Sequence, residues 1–434
     1  MTERAIRVAL FADCFNEING VSNTCRQFAA FAKRGDLPFL VISADNKPGI
    51  YEDGSVVRFG FRRGRVSFGI EKDLSFDLLF LRYFRRMREL VRAFDPDIIH
   101  ITGPGDVGIA GAIVAHDLQI PLAASWHTNI HEYAARRSDR LLPDWLKAEK
   151  RKRVLQAIED FSFRLTALYF RAARFHFAPN PELIDRLSGA SGRPCYLMER
   201  GVDQRAFSPA YRDRAKDEPT VIGYVGRLST EKKVRQFAHV SEALIQAGLN
   251  AKIVFVGQGH EREWLAANVK NCEFTGVLRG RELARAYANM DVFAFPSETD
   301  TFGNVVLEAL SSGVPAIVTA SGGPKFIVEH GRSGFVAVDQ SQFTEALLRL
   351  VKDASLRKAM ALEARSRALR ASWSRVFSDV YRVYEVELAR AAKDRQSNTR
   401  SRKFLLQAGL PTVPMMRRRG RSSVANRRIE GESC

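Results

Sequence analysis

Two carboxylates and a group of backbone donors lie close together in the stretch TDTFGNVVLEALSSGVPAIVTASGG, which runs from Thr299 to Gly323. Asp300 precedes an apolar segment, residues 304–311, that has the composition of a helix, and Glu308 lies inside that segment. The N-terminus of such a helix presents backbone N–H groups without partners: those of Phe302, Gly303, Asn304 and Val305. An anion or a sugar hydroxyl binds well there, and carboxylates accept hydrogen bonds from vicinal hydroxyls. The pattern therefore predicts a nucleotide-sugar site, unless Asp300 is only a helix cap and Glu308 only a surface charge.

A pair of cations provides a second indication of a phosphate ligand. Gly226 and Arg227 end a predicted strand, and Lys232 follows five residues later across a Ser-Thr turn. The planar guanidinium of Arg227 and the ammonium of Lys232 both suit phosphate oxygens. Fixed cations at this place stabilise the charge that develops on a departing pyrophosphate, so they lower the barrier without a metal. The alternative is a basic surface turn with no ligand.

Histidine and glycine residues of the first half give weaker indications. His127 and His131 are four residues apart, as in some zinc sites, but His127 ends an apolar strand and the glutamate position of zinc proteases is not matched, so we predict no metal. Gly20 lies in the loop NGVS after the first strand, where a backbone without a side chain approaches a phosphate closely. A second glycine-rich loop, HITGPGDVG at 100–108, either contacts a ligand or is only a turn.

Apolar strands alternate with amphipathic helices through most of the chain, which is typical of an α/β fold with parallel sheets covered on both faces. The predicted strands form two series: 7–13, 39–45, 97–102, 121–127, 175–179 and 195–201, then 220–227, 251–259, 291–297, 315–321 and 334–338. We expect a Rossmann-like domain at 1–205, a linker at 206–218, a second Rossmann-like domain at 219–370, a helix at 371–393 that crosses back to the first domain, and a basic disordered tail at 394–434. Such sheets bind ligands at the carboxyl ends of their strands, so the cleft between the domains is the expected active site.

The chain of 434 residues has a formal net charge of +18, which favours an anionic neighbour such as a phosphorylated metabolite, a lipid surface or a nucleic acid. A nucleic-acid-binding protein is the alternative from another class. The basic residues form no recognition motif, and the last 41 residues contain a single aromatic residue for base stacking, so we expect no nucleic acid. Five scattered cysteines without a C-x-x-C pattern predict neither disulfides nor a zinc site, and they suit the cytosol.

Several motifs, found in order along the chain, resemble glycosyltransferase family 4. They are GR and EK within 226–232, VFVGQG, FTGVLRGRELARAYANMDVFAFPS, and DTFGNVVLEAL followed by SGVP and GGP. The resemblance covers residues 5–392 and implies the GT-B fold, with two Rossmann-like domains facing across a cleft, and retaining transfer from a nucleotide sugar. It also implies that Asp300, where the family has Glu, approaches the transferred sugar, that Glu308 holds the ribose, and that His127 bonds the sugar near its anomeric carbon. The resemblance further implies a front-face attack, in which the departing phosphate accepts the acceptor's proton, and no need for a metal or other cofactor.

The motifs HITGPGDVG and SWHTNIHEYAARR look most similar to the branch that contains diacylglycerol glycosyltransferases and phosphatidylinositol mannosyltransferases. This resemblance implies a hexose moved from UDP or GDP to a membrane lipid such as diacylglycerol, with the acceptor bound by the first domain. Basic faces at 82–92 and 147–153, together with the tail, fit a peripheral position on the anionic cytoplasmic face of the plasma membrane. A soluble or polysaccharide acceptor remains the alternative, and the sequence identifies neither the sugar nor the base.

Overall fold

The computed structural model describes residues 4–17, 19–45, 48–64, 67–71, 74–77, 79–127, 138, 143, 148–215 and 218–407. Within these residues the chain forms two sheets of mostly parallel strands, each covered by helices. The α/β architecture with two Rossmann-like sheets, predicted from the alternation of strands and helices, is confirmed. None of the helices in these ranges is both long and apolar enough to cross a membrane.

The first sheet contains eight strands of the described residues: β1 (Val8–Ala12), β2 (Phe39–Ala44), β3 (Gly49–Asp53), β4 (Val56–Phe61), and, after a separate hairpin of β5 (Ser67–Glu71) and β6 (Leu74–Asp77), β7 (Ile98–Ile101), β8 (Leu122–Ser125), β9 (Phe175–Ala178) and β10 (Cys195–Leu197). Their order across the sheet is β10-β9-β8-β7-β1-β2-β4-β3, and only β3 and β4 pair in antiparallel fashion. Every residue of β1 and β2 is buried, because helices cover both faces.

Five helices of the described residues surround this sheet: α1 (Gly20–Arg34), α2 (Phe84–Phe94), α3 (Asp106–Asp117), α4 (Ala148–Phe170) and α5 (Pro181–Ser191). Asparagine caps begin α1 and α5, since the side chain of Asn19 accepts from the N–H of Ser22 and that of Asn180 accepts from the N–H of Leu183. Both caps lie at the carboxyl edge of the sheet, where they fix the first turn of each helix next to the cleft.

The second sheet contains six parallel strands: β11 (Thr220–Val225), β12 (Ala251–Val256), β13 (Cys272–Gly276), β14 (Val292–Phe295), β15 (Ala316–Thr319) and β16 (Gly334–Ala337). Their order is β13-β12-β11-β14-β15-β16, so the order reverses next to β11, between β12 and β14. Ligands bind at such a reversal in open parallel sheets. The surrounding helices are α6 (Gln236–Gln246), α7 (Arg262–Asn268), α8 (Gly280–Ala288), α9 (Asn304–Ser311), α10 (Gln340–Lys352) and α11 (Ala354–Leu369).

The last helix, α12 (Trp373–Gln407), returns to the first sheet. Its ring of Phe377 stacks on Phe28 of α1 at 4.3 Å between centroids, and Tyr384 contacts His100 of β7 through its hydroxyl. These aromatic residues belong to the same buried cluster as β1. The chain therefore crosses between the two sheets twice, once near Val202 and once near Ala371, and the backbone N–H of Val202 donates to the carbonyl of Ala371 at 3.0 Å.

The structure differs from the sequence-based expectations at three places. Strands β3, β4, β5, β6 and β13 were not expected, and the strand predicted at 195–201 ends at Leu197. The tail predicted to be disordered from residue 394 continues α12 to Gln407, because it contains no glycine or proline before Gly409; residues 408–434 lie outside the described residues. The domain limits remain predictions, with one sheet on each side of 206–218.

Candidate functional site

The predicted helix N-terminus is formed by α9, which begins at Asn304 directly after the turn that follows β14. Gly303 caps it with φ at 101°, and a Cβ atom there would lie 2.9 Å from Cγ of Pro324. The turn therefore requires glycine at this position. Within the described part of the chain, no acceptor takes the backbone N–H groups of the predicted donors, which are Phe302, Gly303, Asn304 and Val305. These groups remain available for an anion or a sugar hydroxyl.

Lys232 and Asp300 form a direct ion pair at this turn. Nζ of Lys232, which ends the short 3-10 turn Thr230–Lys232, lies 2.8 Å from both carboxylate oxygens of Asp300. Ser297 donates a further hydrogen bond of 2.5 Å to the same carboxylate. Burial raises the pKa of Asp300, but attraction to Lys232, hydrogen bonds from Lys232 and Ser297, and attraction to Arg227 outweigh burial, so the pKa lies below its usual value. The acid is thus ionised and held in one orientation.

Arg227 lies on the same side of the second sheet, one residue beyond Gly226. Gly226 adopts φ of 152°, and the hydroxyl of Tyr224 donates to the carbonyl oxygen of Arg227 at 2.8 Å, which fixes the backbone after β11. The Arg227 side chain is exposed, and its charge lowers the pKa of Asp300 as noted above. The structure therefore brings both predicted cations to the Asp300 turn.

Glu308 lies one turn inside α9 and has a different environment. The hydroxyl of Tyr287 in α8 donates to Oε2 of Glu308 at 2.8 Å. Burial raises the pKa of Glu308 to about 7, although the hydrogen bond from Tyr287 opposes that rise. No ion pair or hydrogen bond joins Glu308 to the other predicted site residues in the described ranges. A ligand that donates hydroxyl groups to this carboxylate would favour its ionised form.

The first domain contributes the N-terminus of a second helix. Gly20 is the first residue of α1, and a Cβ atom placed on it would lie 3.2 Å from Nδ2 of Asn304, the first residue of α9. The two helices thus begin at the same point of the cleft, one from each domain. Because each helix N-terminus carries a partial positive charge, the space between them favours an anion such as a diphosphate.

His127 follows β8 and has protein partners on both ring nitrogens. Nη2 of Arg200 lies 2.7 Å from Nδ1, and Oγ of Ser125 lies 2.6 Å from Nε2. A guanidinium only donates, so Nδ1 must carry the lone pair and Nε2 the proton. Burial, Arg200 and His100 hold the pKa of His127 well below its usual value, so the ring is neutral. His127 can therefore donate one hydrogen bond from Nε2, but it cannot accept a proton while Arg200 occupies Nδ1.

Arg200 was not identified from the sequence. Its side chain is 4% exposed, and it donates to the carbonyl oxygens of Met198 at 2.9 Å and Glu199 at 3.3 Å as well as to His127. No carboxylate of the described residues pairs with it, and burial lowers its pKa to about 10. The nearest signal in the sequence is an arginine directly before Gly201 at the end of the first domain, which by itself does not indicate a contact with His127.

Thr301 joins the two domains next to Asp300. Its hydroxyl donates to the carbonyl oxygen of His127 at 3.0 Å, and its own carbonyl accepts from Nδ2 of Asn180 at 2.9 Å. Lys325 and Glu182 form an ion pair across the same boundary. The hydroxyl and the carbonyl oxygen of Thr301 are thus both held by the first domain, so the position of the neighbouring Asp300 depends on how the domains meet. Sequence spacing contained no signal for these contacts.

The glycine-rich loop at 100–108 binds a carboxylate side chain of the protein itself. The N–H groups of Gly105 and Gly108 donate to the carboxylate of Asp13 at 3.2 and 2.9 Å. Of the two explanations left open for this loop, the geometry therefore favours a structural turn. His131 lies outside the described residues, and so does any pairing of it with His127. In the described ranges no three His, Cys, Asp or Glu side chains gather as metal ligands would.

Comparison with known proteins identifies the family. The model of "Glycosyltransferase Family 4" matches residues 18–205, and that of "Glycosyl transferases group 1" matches 219–353. GDP-mannose-dependent alpha-mannosyltransferase from Mycobacterium tuberculosis is 31% identical over 88% of this chain and 96% of its own length. Sulfoquinovosyl transferase SQD2 from Arabidopsis thaliana is 28% identical over 85% and 71%, and alpha-monoglucosyldiacylglycerol synthase from Streptococcus pneumoniae is 24% identical over 74% and 72%.

Solved structures show the same fold. Sucrose-phosphate synthase from Thermosynechococcus elongatus superimposes with a TM-score of 0.68 at 18% identity, covering 88% of this chain and 99% of that one. Anabaena Alr3699/HepE, solved in complex with UDP and glucose, superimposes with a TM-score of 0.58 at 18% identity, covering 88% and 100%. The family match, the paired Rossmann-like sheets and the order of the motifs agree. The chain belongs to glycosyltransferase family 4, has the GT-B fold, and is a glycosyltransferase with a nucleotide-sugar donor.

Proposed function

We propose that the protein is a retaining, metal-independent hexosyltransferase that moves a sugar from a UDP- or GDP-linked donor to the hydroxyl of a membrane lipid. The observation that carries the donor half of this proposal is the Lys232–Asp300 ion pair, 2.8 Å apart, beside the N-terminus of α9. A cation for phosphate and an acid for sugar hydroxyls lie in contact where the two domains meet.

The donor occupies the space between the N-termini of α1 and α9. The diphosphate takes the backbone N–H groups of α9 together with Arg227 and Lys232, and it competes with Asp300 for the Lys232 ammonium. Asp300 is then free to accept hydrogen bonds from the transferred sugar, and Glu308 accepts them from the ribose. Positive charge held in place by two side chains and two helix dipoles stabilises the departing diphosphate, which is the task a metal performs in other transferases.

Retention follows from attack on the face from which the diphosphate leaves. The bond between the anomeric carbon and the phosphate oxygen breaks, the acceptor oxygen bonds to the same carbon on the same face, and the acceptor proton passes to the phosphate oxygen. The geometry of His127 supports this scheme, because Arg200 occupies the only nitrogen that could act as a base. His127 instead donates from Nε2, after exchanging Ser125 for a sugar oxygen.

A lipid acceptor is supported by the relative named alpha-monoglucosyldiacylglycerol synthase, since that name refers to a glycosylated lipid. The net charge of +18 supports a position at the anionic cytoplasmic face of the plasma membrane. GDP-mannose is the first donor to test, since it is named in the relative that is 31% identical.

The proposal is tested with radiolabelled GDP-mannose, UDP-glucose and their epimers, each incubated with purified protein and either a lipid extract or an aqueous extract. We expect label in a lipid product, an α-anomeric linkage by NMR, and undiminished turnover after EDTA treatment. The Lys232→Ala protein is the control for contaminating activity. Label only in aqueous products would refute the lipid acceptor, a β linkage would refute retention, and loss of turnover with EDTA would refute metal independence.

A further inference from the structure

Helix α4 exposes a continuous apolar stripe. Of the large apolar side chains on it, Phe161 is 69% exposed, Leu165 59%, Leu168 58% and Val154 38%. Spacings of three, four and seven residues place all of them on one face of a helix. Single exposed leucines are ordinary on protein surfaces, but a row of large apolar side chains along one helix marks a surface that binds something.

The opposite face of the same helix already has its packing partners. Phe163, Ala167 and Phe170 are buried in the core of the first domain, where the ring of Trp126 lies 5.5 Å from that of Phe163 and 5.2 Å from that of Phe170. The helix is therefore anchored to the domain without using the stripe. The stripe is a second apolar face, and no part of the fold among the described residues requires it.

A row of arginines runs along one side of the stripe. Arg153, Arg164 and Arg171 are exposed, and a helical projection places them next to one another, about a quarter turn from the apolar residues. No acidic side chain of the described residues pairs with any of the three. The acids Glu159 and Asp160 of the same helix lie 3.8 and 3.5 Å from Arg186, which offsets their charge. The face is thus apolar along its centre and cationic along one edge.

We propose that this face of α4 docks on an anionic phospholipid bilayer, with the apolar stripe in the acyl-headgroup boundary and the arginines at the phosphates. An exposed apolar face bordered by basic residues is the pattern of helices that lie in a membrane interface. The net charge of +18 favours the same partner. A protein partner would instead need an apolar groove edged by acidic residues. The inference rests on the lipid acceptor proposed above and names the surface that reaches it.

Docking through α4 also relates the membrane to the cleft. Helix α4 packs against α5, and the residues that begin α5 contact the second domain, through Asn180 to Thr301 and Glu182 to Lys325. Helix α4 is therefore linked through α5 to the contacts beside Asp300.

The experiment measures flotation of the full-length protein with vesicles of phosphatidylcholine, with and without one third phosphatidylglycerol. The apolar variant carries three substitutions: Phe161→Ser, Leu165→Ser and Leu168→Ser. The charge variant carries Arg153→Gln, Arg164→Gln and Arg171→Gln. A matched control places serine at two exposed leucines of α11, Leu362 and Leu369, which are 70% and 49% exposed.

We expect wild type and the α11 control to float with anionic vesicles and not with neutral ones. The charge variant should bind roughly 100-fold more weakly, since each arginine near an anionic surface contributes about fivefold. The apolar variant should bind at least roughly 100-fold more weakly, since three large apolar side chains no longer enter the interface. Thermal melting and donor binding like wild type would show that both variants are folded, because none of these residues contacts the donor site.

Equal flotation of the apolar variant, the charge variant and wild type would overturn the proposal. So would a wild-type dimer in sedimentation that becomes a monomer in the apolar variant, because the stripe would then bind a second copy. The outcome is separate from that of the proposed function: transfer to a short-chain acceptor in solution should be equal in all variants. If the variants lose vesicle binding but still transfer sugar to the short-chain acceptor, the result supports docking through α4. If flotation depends on α4 but no lipid product forms, docking stands and only the proposed lipid acceptor is refuted.

Discussion

The raised pKa of Glu308 makes a quantitative prediction for the substitution Glu308→Gln. Burial raises this pKa from its usual 4.5 to about 7, which corresponds to about 3 kcal/mol of unfolding free energy. Below pH 4.5 the carboxyl is protonated in both the folded and the unfolded chain. Between pH 4.5 and 7 the unfolded chain ionises first, so the folded protein loses stability as the pH rises, and above pH 7 the loss is complete. Glutamine stays neutral throughout and can still accept from Tyr287.

Urea unfolding of the wild type and the Glu308→Gln protein at pH 4.5 and pH 8 measures this difference. We expect the variant to gain about 3 kcal/mol relative to wild type between the two pH values. Asp13, whose pKa burial also raises to about 7, is present in both proteins and cancels in the comparison. A difference between the two proteins that is the same at both pH values would refute the assignment of a buried, protonatable Glu308.

Donor binding should also change the protonation of Glu308. Ribose hydroxyls that donate to Glu308 favour its ionised form, so nucleotide binding lowers its pKa and releases a proton. At pH 7 the carboxyl is about half protonated, and binding should release roughly half a proton per nucleotide. Calorimetry in buffers of different ionisation enthalpy measures this release, and Glu308→Gln should abolish the dependence on buffer. A wild-type enthalpy that is independent of buffer would mean that the ribose does not reach Glu308.

Three further outcomes are expected. Lys232→Ala should lower kcat by roughly 100- to 1,000-fold with an unchanged melting temperature, whereas normal turnover would remove Lys232 from the site. Arg200→Met should give His127 a mixture of tautomers in ¹⁵N NMR spectra and a higher pKa, so that turnover falls at acidic pH; an unchanged spectrum would show that Arg200 does not set the tautomer. Gly303→Ala should destabilise the protein by about 1–3 kcal/mol in urea, and an unaltered midpoint would contradict the strain argued for the turn.

Local patterns in the sequence predicted much of the fold and the outline of the donor site. Helix α9 lies at residues 304–311 as expected. Its apolar segment is preceded by a glycine and followed by Ser-Ser-Gly, and these residues mark the start and the end of the helix. Among the strands that were missed, β3 and β13 each lie at the edge of a sheet, and their residues are mostly exposed or half-buried, so they lack the apolar run of a buried strand. Apolar runs in the sequence therefore identify the strands at the centre of each sheet, but they do not identify the more exposed strands at its edges.

The contacts that sequence reasoning did not find join residues far apart in the chain. Arg200 and His127 are 73 residues apart, and Thr301 and Asn180 are 121 apart. Neither pair has a spacing that a local pattern would reveal, and a lone buried arginine looks like any other basic residue until its surroundings are known. For the same reason the ion pair of Lys232 with Asp300 was not expected, although both residues were assigned to the donor.

The return of α12 to the first sheet has a consequence for biosynthesis. Trp373, Phe377 and Tyr384 complete the packing around Phe28, so the amino-terminal half lacks part of its interior until the last sixth of the polypeptide has left the ribosome. A nascent chain that ends after residue 205 would display that unfilled surface to chaperones. We therefore expect the amino-terminal half expressed alone to aggregate, and co-expression with a peptide of residues 371–393 to restore its solubility.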